Sequence, residues 1–284
     1  MAKVAEVLGV CTPKALPRSK WVQAAQRAVE LNPHNHAPVE GLMRVMRDFK
    51  PTAERIAVVA TKYWHTGGVR LSVGFLDGES TTLKKRILSH MNAWSKTANV
   101  KFVLGGKSSD VRIARMGGPD GGYWSYVGTD IQSIPMDEPT MNLEAFTMST
   151  PESEFHRVVR HETGHTIGCP HEHMRRALVK LIDPKKAIAF FAKTQGWSAA
   201  VTRAQVLTPI EEGTLIATQT PDPHSVMCYQ IPGVITRDGK PIIGGTDIDP
   251  LDYAFMATIY PKGTAPKAPP RPAKRKTKRA GHRR

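Results

Sequence analysis

The sequence predicts an α+β fold in which a helix covers a twisted, mostly parallel sheet. Residues 69–76 alternate apolar and polar side chains, as a half-buried strand does. Residues 80–96 repeat apolar side chains at helical spacing after Ser80, a typical N-cap residue. Two further strand patterns follow at residues 100–104 and 110–116. This strand–helix–strand–strand order is typical of parallel strands connected by a covering helix.

Segments on either side of this unit complete the predicted fold. Residues 20–31 and 38–49 are predicted to form two N-terminal helices. Residues 140–146 are predicted to form another strand, at the sheet edge where an extended peptide would pair. The next helix is predicted to begin near Ser149, because Ser149 and Glu152 have the spacing of a capping box.

Positive charge is concentrated at the C-terminal end. The formal net charge of the 284 residues is +15, and residues 262–284 contain ten Lys or Arg and no acidic residue, which leaves +5 for the rest. This tail is rich in proline and has no large apolar side chain, so it cannot bury a core. Two interpretations stay open: a disordered arm that binds an anionic partner such as nucleic acid or lipid headgroups, and a solvated tail without a dedicated partner.

Targeting signals and cysteines are both sparse. No apolar run approaches the roughly 20 residues of a membrane span, and there is no clear signal peptide. The protein is therefore expected to be cytoplasmic or exported by a non-standard route. The three cysteines, Cys11, Cys169 and Cys228, do not make a disulfide framework, which fits a reducing compartment. A single bridge between Cys169 and Cys228 stays open.

The segment HETGHTIGCPHEH, residues 161–173, is the strongest functional signal. His161 and His165 are four residues apart on a predicted helix, so their rings project from one face and can bind the same metal ion. Glu162 reaches that side and can act as a general base towards a water molecule activated by the metal.

The rest of the segment supplies a third ligand. Gly168 lies where the helix can end in a left-handed conformation, which lets the chain return His171 to the same metal. Three neutral imidazoles leave a fourth position open, as a catalytic zinc site requires. His156 and His173 do not fit the ligand spacing and are expected to lie outside the ligand set.

The extended motif H-E-x-x-H-x-x-G-x-x-H resembles that of the metzincin zinc endopeptidases, and the glutamate at position 172 narrows the resemblance to the astacin-like branch. Three more stretches resemble segments of that family: GGYWSYVG at 121–128, SVMCY at 225–229 in the place of the methionine turn, and the closing helix at 244–261. The resemblance covers about residues 62–261.

The resemblance implies a zinc-dependent endopeptidase of protein or peptide substrates. It implies a twisted mixed sheet and two helices above a cleft, with an irregular lower part and a C-terminal helix. The implied Zn²⁺ ligands are His161, His165 and His171, with Glu162 as general base. Met227 would form the apolar floor of the site, and Tyr229 would be a possible fifth ligand that stabilises the oxyanion.

This sequence departs from the family pattern in four respects, one of which is that Cys169 and Pro170 fill the spacer before the third histidine. Cys228 stands where the methionine turn usually has histidine, and Tyr123 where a disulfide cysteine is common, so the family's disulfides are absent. In secreted members the residue matching Glu172 pairs with a new N-terminus released from a pro-segment. No cleavage signal is present here, so Glu172 is expected to pair with an internal cation.

The expected organisation has three parts: residues 1–61, a catalytic domain at 62–261 and a disordered basic tail at 262–284. Two interpretations of residues 1–61 stay open. One is an inhibitory pro-segment in which Cys11 covers the zinc, since sulfur is a suitable zinc ligand. The other is a helical extension that packs on the catalytic domain.

Two other functions stay open on sequence alone. The site could belong to a metal-dependent hydrolase with one dedicated substrate. Alternatively, zinc could be structural in a nucleic-acid-binding protein whose basic tail makes the contacts. In the second case a general base beside three histidines would have no purpose.

Overall fold

The computed structural model describes residues 11–12, 14–45, 52–53, 57, 60–65, 67–78, 80–209 and 220–263. Residues 46–49 of the second predicted helix and residues 264–284 of the basic tail lie outside this set, so the anionic partner of the tail stays a prediction. Within these ranges, none of the helices combines the length and the apolar character that crossing a membrane requires.

A five-stranded sheet forms the upper part of the molecule. Its strands are β1 (Val69–Phe75), β2 (Val100–Leu104), β3 (Val111–Ala114), β4 (Tyr123–Ser125) and β5 (Met141–Leu143). They lie in the order β2-β1-β3-β5-β4. Only the outermost pair, β4 and β5, is antiparallel. The sheet is therefore mostly parallel, as the sequence predicts.

The edge of the sheet differs from the prediction. Residues 140–146 contain β5, which pairs with β3 on one side and with β4 on the other, so their assignment as the edge is wrong. The reason is the buried side chain of Asn142. It accepts a hydrogen bond from Met116 N and donates to Gly122 O, both in the loop before β4. These bonds hold that loop against β5 and leave β4 outermost.

Among the described residues, three α-helices of regular length precede the motif. They are α1 (Trp21–Leu31), α2 (Ala37–Val45) and α3 (Thr81–Met91). Ser80 caps α3 as predicted, because its hydroxyl accepts a hydrogen bond from Leu83 N at 3.3 Å. The turn after α1 is hydrogen-bonded to the residues just before the sheet. Asn32 Nδ2 donates to Trp64 O, and Asn35 Nδ2 donates to Tyr63 O.

The motif lies on a fourth helix, α4, which runs from residue 152 to 166. It consists of Glu152–Glu154, a π-helical stretch Phe155–Val159, and Arg160–Thr166. The predicted capping box is wrong: the N-cap is Pro151, and the hydroxyl of Ser149 bonds to that of Thr147. The carboxylate of Glu152 is instead held by Arg86 Nη2 at 2.6 Å, so a tertiary ion pair prevails over the local capping pattern.

The lower part of the molecule follows α4. It contains α5 (Arg176–Val179), α6 (Pro184–Gln195), α7 (Ala199–Thr202) and a π-helical stretch Arg203–Leu207. The last helix, α8 (Pro250–Ile259), has Pro250 in its first turn, as predicted, and a capping box formed by Asp249 and Asp252.

The two largest apolar clusters of the described residues form an upper and a lower core. The upper core lies between the sheet, α3 and α4, and α8 returns to it through Met256 and Ile259. The lower core is built from residues of α6 and the loops around it, including Phe191 and Ile231. Residues 226–229 cross from one core to the other, because Met227 belongs to the upper core and Tyr229 to the lower.

Tyr260, just after α8, joins three segments of the upper part. Its buried hydroxyl donates to Ile167 O at 2.7 Å and accepts from Trp64 N at 2.9 Å.

We expect Tyr260→Phe to lower the free energy of unfolding by about 2–4 kcal/mol, because two buried main-chain groups lose their partner. Tyr253→Phe is the control, since the hydroxyl of Tyr253 bonds to no described residue, and we expect a change below about 0.5 kcal/mol. Equal losses in urea denaturation would contradict this role of Tyr260.

Candidate metal centre

Three histidine rings meet where α4 ends. His161 and His165 lie on one face of the helix, with ring centroids 4.8 Å apart. The last residue of the helix is Thr166, and Gly168 follows in the predicted left-handed conformation, with a φ of +105°. A Cβ on Gly168 would lie 2.6 Å from a carbon of the Tyr63 ring. The turn brings the ring of His171 to 5.2 Å from His161 and 4.6 Å from His165.

The ring nitrogens of the three histidines converge. His171 Nε2 lies 3.1 Å from His161 Nε2 and 3.1 Å from His165 Nε2. The Cys11 sulfur joins this group, and the four candidate ligand atoms all lie within 4.8 Å of one another. The structure therefore brings together the three histidines that the sequence selects, and adds a thiol from the N-terminal segment.

The hydrogen bonds of the other ring nitrogens show that this arrangement fits a metal ion. His161 Nδ1 donates to Val226 O at 2.6 Å, and His165 Nδ1 donates to Cys169 O at 2.8 Å. A carbonyl only accepts, so in the neutral rings the proton is on Nδ1 and the lone pair is on Nε2. Two lone pairs thus point at His171 Nε2, which carries at most one proton. A cation bound by all three nitrogens removes this conflict.

Burial keeps these rings neutral. It lowers the pKa of His165 to about 4, and it lowers the pKa of His161 and His171 well below the usual value. Nearby histidines lower the pKa of His161 and His171 further. Neutral imidazole is the form that binds metal, so the metal-free site is ready to bind it without first releasing protons near neutral pH.

Two oxygens near the cluster have no hydrogen-bond partner among the described residues. One is Oε1 of Glu162, a buried carboxylate whose other oxygen accepts from the Cys11 thiol at 3.3 Å. Burial raises the pKa of Glu162 to about 8. The other is the hydroxyl of Tyr229, whose ring centroid lies 4.4 Å from that of His171.

His173 is buried behind Tyr229 rather than at the surface. The two rings stack with centroids 3.9 Å apart, and His173 Nε2 donates to Gln205 O at 2.9 Å. Tyr229 N donates to His173 Nδ1 at 3.4 Å. His173 therefore fixes the position of the tyrosine, a role that its place two residues after His171 does not reveal in the sequence.

The other glycine of this segment, Gly164, makes room for Met227. A Cβ on Gly164 would lie 2.3 Å from the Met227 sulfur. The helix face between His161 and His165 thus needs glycine so that Met227 can pack directly beneath it. This contact joins residues 63 positions apart and is not visible in the sequence.

Asp252 in α8 holds the methionine turn in place. Its carboxylate accepts from Ser225 Oγ at 2.6 Å and from Val226 N at 2.9 Å. Val226 O is in turn the acceptor for the His161 ring. The closing helix therefore orients His161 through one residue of the turn, and the sequence motif alone does not show this link.

Glu172 pairs with an internal cation, as predicted. Its Oε1 accepts from Arg175 Nη1 at 3.2 Å and from Asp222 N at 2.9 Å. The main-chain N–H of Glu172 donates to Met227 O at 2.9 Å. The loop that follows His171 is thus held by Arg175 in the next turn of the chain and by Met227 in the methionine turn.

The remaining cysteines and histidines of interest lie away from the cluster. All three cysteines are free, and Cys169 contacts Met256 Sδ, so no bridge to Cys228 forms. His156 lies at the half-exposed side of α4, where Nδ1 bonds to Asp247 Oδ2 at 2.8 Å. It lies near His90 and Glu152, and the carboxylate of Glu152 is also ion-paired with Arg86.

Comparison with known proteins gives a match at the level of structure. Neither the family models nor the curated protein sequences match the chain. One structure of myroilysin, an astacin-family metalloprotease, matches with 29% identity and a TM-score of 0.66, over 72% of this chain and 98% of that chain. The chain is an astacin-like zinc metalloprotease.

Two further structures resemble this metalloprotease. A second structure of myroilysin matches with 29% identity and a TM-score of 0.54, over 71% of this chain and 86% of that chain. High choriolytic enzyme 1, a hatching enzyme zinc-protease from the medaka fish Oryzias latipes, has 17% identity and a TM-score of 0.48, over 70% of this chain and 94% of that chain. The likeness to the hatching enzyme is too distant to bear on function. The predicted cofactor, zinc, fits the buried histidine cluster.

The link from α8 to His161 can be tested by substitution. We expect Asp252→Ala to weaken zinc binding about 10- to 100-fold, because the acceptor carbonyl of His161 loses its support. Asp249→Ala removes the other half of the same capping box without touching the methionine turn. It should cost about 1 kcal/mol of stability and leave zinc affinity unchanged. Chelator competition gives both affinities, and equal weakening would contradict the link.

Proposed function

We propose that this metalloprotease is an endopeptidase in which His161, His165 and His171 hold the zinc through Nε2 and Glu162 is the general base. The proposal is carried by one observation: three Nε2 atoms converge beside a buried carboxylate that has an oxygen without a hydrogen-bond partner. When bound, zinc supplies Lewis-acid chemistry, which polarises a carbonyl group and makes a water molecule more acidic.

Glu162 moves the proton in the proposed reaction. Its Oε1 is free to accept a proton from the attacking water, and it then passes that proton to the leaving amine. Burial raises the pKa of Glu162 towards the neutral range, where one carboxyl group can both accept and release a proton. The position of Glu162, one residue after His161 on α4, fixes the base relative to the ligand set.

Tyr229 stabilises the negative charge that develops on the substrate. Its hydroxyl is buried and has no partner among the described residues, so it can donate a hydrogen bond to an oxyanion. The stacked ring of His173 limits its movement. We propose a second role for the same hydroxyl, as a fifth zinc ligand before substrate binds.

The substrate lies extended along β4. This strand is the outer member of the sheet, and an extended peptide can pair with the free side of such a strand. The main-chain carbonyls of Tyr123 and Ser125 in β4 accept hydrogen bonds from Thr12 N and Lys14 N, and this strand-like pairing supports the proposal that β4 can pair with an extended peptide.

The general base is tested with Glu162→Gln. The comparison is made in chains that carry Cys11→Ala, because the Cys11 thiol bonds to the carboxylate in question. We expect casein cleavage to fall at least about a hundredfold while zinc content, measured by metal analysis, stays the same. Glu138→Gln, at an exposed position, should have no effect. A zinc-loaded Cys11→Ala chain that does not cleave casein would contradict the proposed function.

The role of Tyr229 is tested with Tyr229→Phe in the same background. The ring and its stacking on His173 are kept, and only the hydroxyl is lost. We expect kcat to fall about a hundredfold with little change in KM, because the hydrogen bond forms only as the oxyanion develops. A rise in KM with unchanged kcat would instead assign the hydroxyl to substrate binding.

A further inference from the structure

A second group of ligand-type side chains lies where α3 meets the first turns of α4. His90 is in α3, and Glu152 and His156 are one turn apart in α4. One candidate ligand atom from each of these three residues lies within 4.8 Å of the other two. His156 is five residues before His161, about 7 Å along the helix axis. Its ring is half-exposed whereas that of His161 is buried, so the group is separate from the central histidine cluster.

The carboxylate of Glu152 faces both imidazole rings through the same oxygen. Its Oε1 lies 3.1 Å from His90 Nε2 and 3.5 Å from His156 Nε2. Its other oxygen, Oε2, is held by Arg86 Nη2, which keeps Oε1 turned towards the rings. The ligand atoms of a tetrahedral zinc ion are about 3.3–3.6 Å apart at the usual zinc–nitrogen and zinc–oxygen lengths. The three donors therefore suit one ion with little movement.

Asp247 orients the ring of His156. Its Oδ2 lies 2.8 Å from His156 Nδ1, and a carboxylate only accepts hydrogen bonds, so a ring proton is on Nδ1. In the neutral ring the lone pair is then on Nε2, the nitrogen on the side of Glu152. Histidines that bind metal commonly donate their other ring N–H to a carboxylate in this way, which fixes the tautomer and the direction of the ring.

His90 and Glu152 are in charge states that suit a metal ion. Burial lowers the pKa of His90, so its ring is neutral near neutral pH. Its Nδ1 bonds to no described residue, so no fixed acceptor or donor prevents the single ring proton from moving there and leaving the lone pair on Nε2. The hydrogen bond from Arg86 lowers the pKa of Glu152, which is therefore ionised. Neither residue needs to release a proton in order to bind metal.

Two guanidinium groups lie beside these ligands and weaken their affinity for a cation. Arg160 Nη2 is 3.3 Å from His156 Nε2, and Arg86 Nη2 is 2.6 Å from Glu152 Oε2. The carboxylates of Asp247 and Glu152 balance these two charges. A metal ion has to displace Arg160 Nη2 from His156, while Arg160 Nη1 keeps its bond to Asp247. We therefore expect micromolar rather than nanomolar binding.

We propose that His90, Glu152 and His156 form a second metal site, which binds a divalent transition-metal ion such as Zn²⁺. Two imidazoles and one carboxylate favour zinc, cobalt or nickel over calcium and magnesium, which prefer oxygen ligands. Glu152 is exposed and His156 half-exposed, so water can take the remaining coordination positions. The ion joins α3 to the start of α4, the helix that carries His161 and His165, and its role is to stabilise the folded chain. The proposal does not depend on the proposed function.

The site is tested by the zinc content of the full-length protein after dialysis against micromolar free zinc. We expect the parent to hold one zinc ion per chain more than His156→Ala and His90→Gln. His36→Ala is the matched control and should equal the parent, because His36 is also paired with a glutamate one turn away, Glu40, but among the described residues no third ligand joins that pair. His156 is half-exposed, so His156→Ala keeps the test decisive if His90→Gln fails to fold. Equal zinc content in the parent and His156→Ala overturns the proposal.

The orientation of His156 by Asp247 gives a second test, made by calorimetric titration of zinc into full-length protein that already holds zinc at the central cluster. We expect Asp247→Asn to weaken binding of the additional zinc about 10- to 100-fold, and Asp238→Asn, at an exposed position, to leave it unchanged. The Tm of the parent should rise as the additional zinc binds, and that of His156→Ala should not. Unchanged affinity in Asp247→Asn, or an equal rise of Tm in His156→Ala, contradicts the proposed site.

Discussion

Two hydrogen bonds from histidine rings to main-chain carbonyls determine what the cluster can do. They place protons on the Nδ1 atoms of His161 and His165 and direct both Nε2 lone pairs to one point. The acceptors come from distant parts of the chain: Val226 from the methionine turn and Cys169 from the turn that ends α4. Without these two carbonyls the rings could take either tautomer, and the metal site would not be preorganised.

The rest of the fold supports those two carbonyls. Asp252 at the start of α8 holds Val226, and α8 itself is anchored in the upper core, where Tyr260 connects it to the end of α4. Met227 packs against Gly164 from below, and Tyr229 continues into the lower core. The methionine turn thus joins both cores to the metal-binding helix.

Local and long-range features were not equally predictable. The sequence predicts the three histidines and the helix end at Gly168, because their spacing is fixed by helical geometry. It does not predict that residues 140–146 lie inside the sheet, since strand order depends on Asn142 binding a loop some 20 residues earlier. Contacts across the whole chain, such as Cys11 with Glu162, 151 residues apart, have no local signal at all.

The partner of Glu172 lies within the loop that follows His171. Arg175 provides the guanidinium from the next helical turn, so the loop after His171 does not depend on the position of a chain terminus. A protease that trims the N-terminal segment imprecisely would leave ragged ends, and each of the resulting forms would keep this ion pair. A tag fused ahead of residue 1 would also leave this ion pair unchanged. The ion pair of Glu172 is therefore independent of the position of the N-terminus.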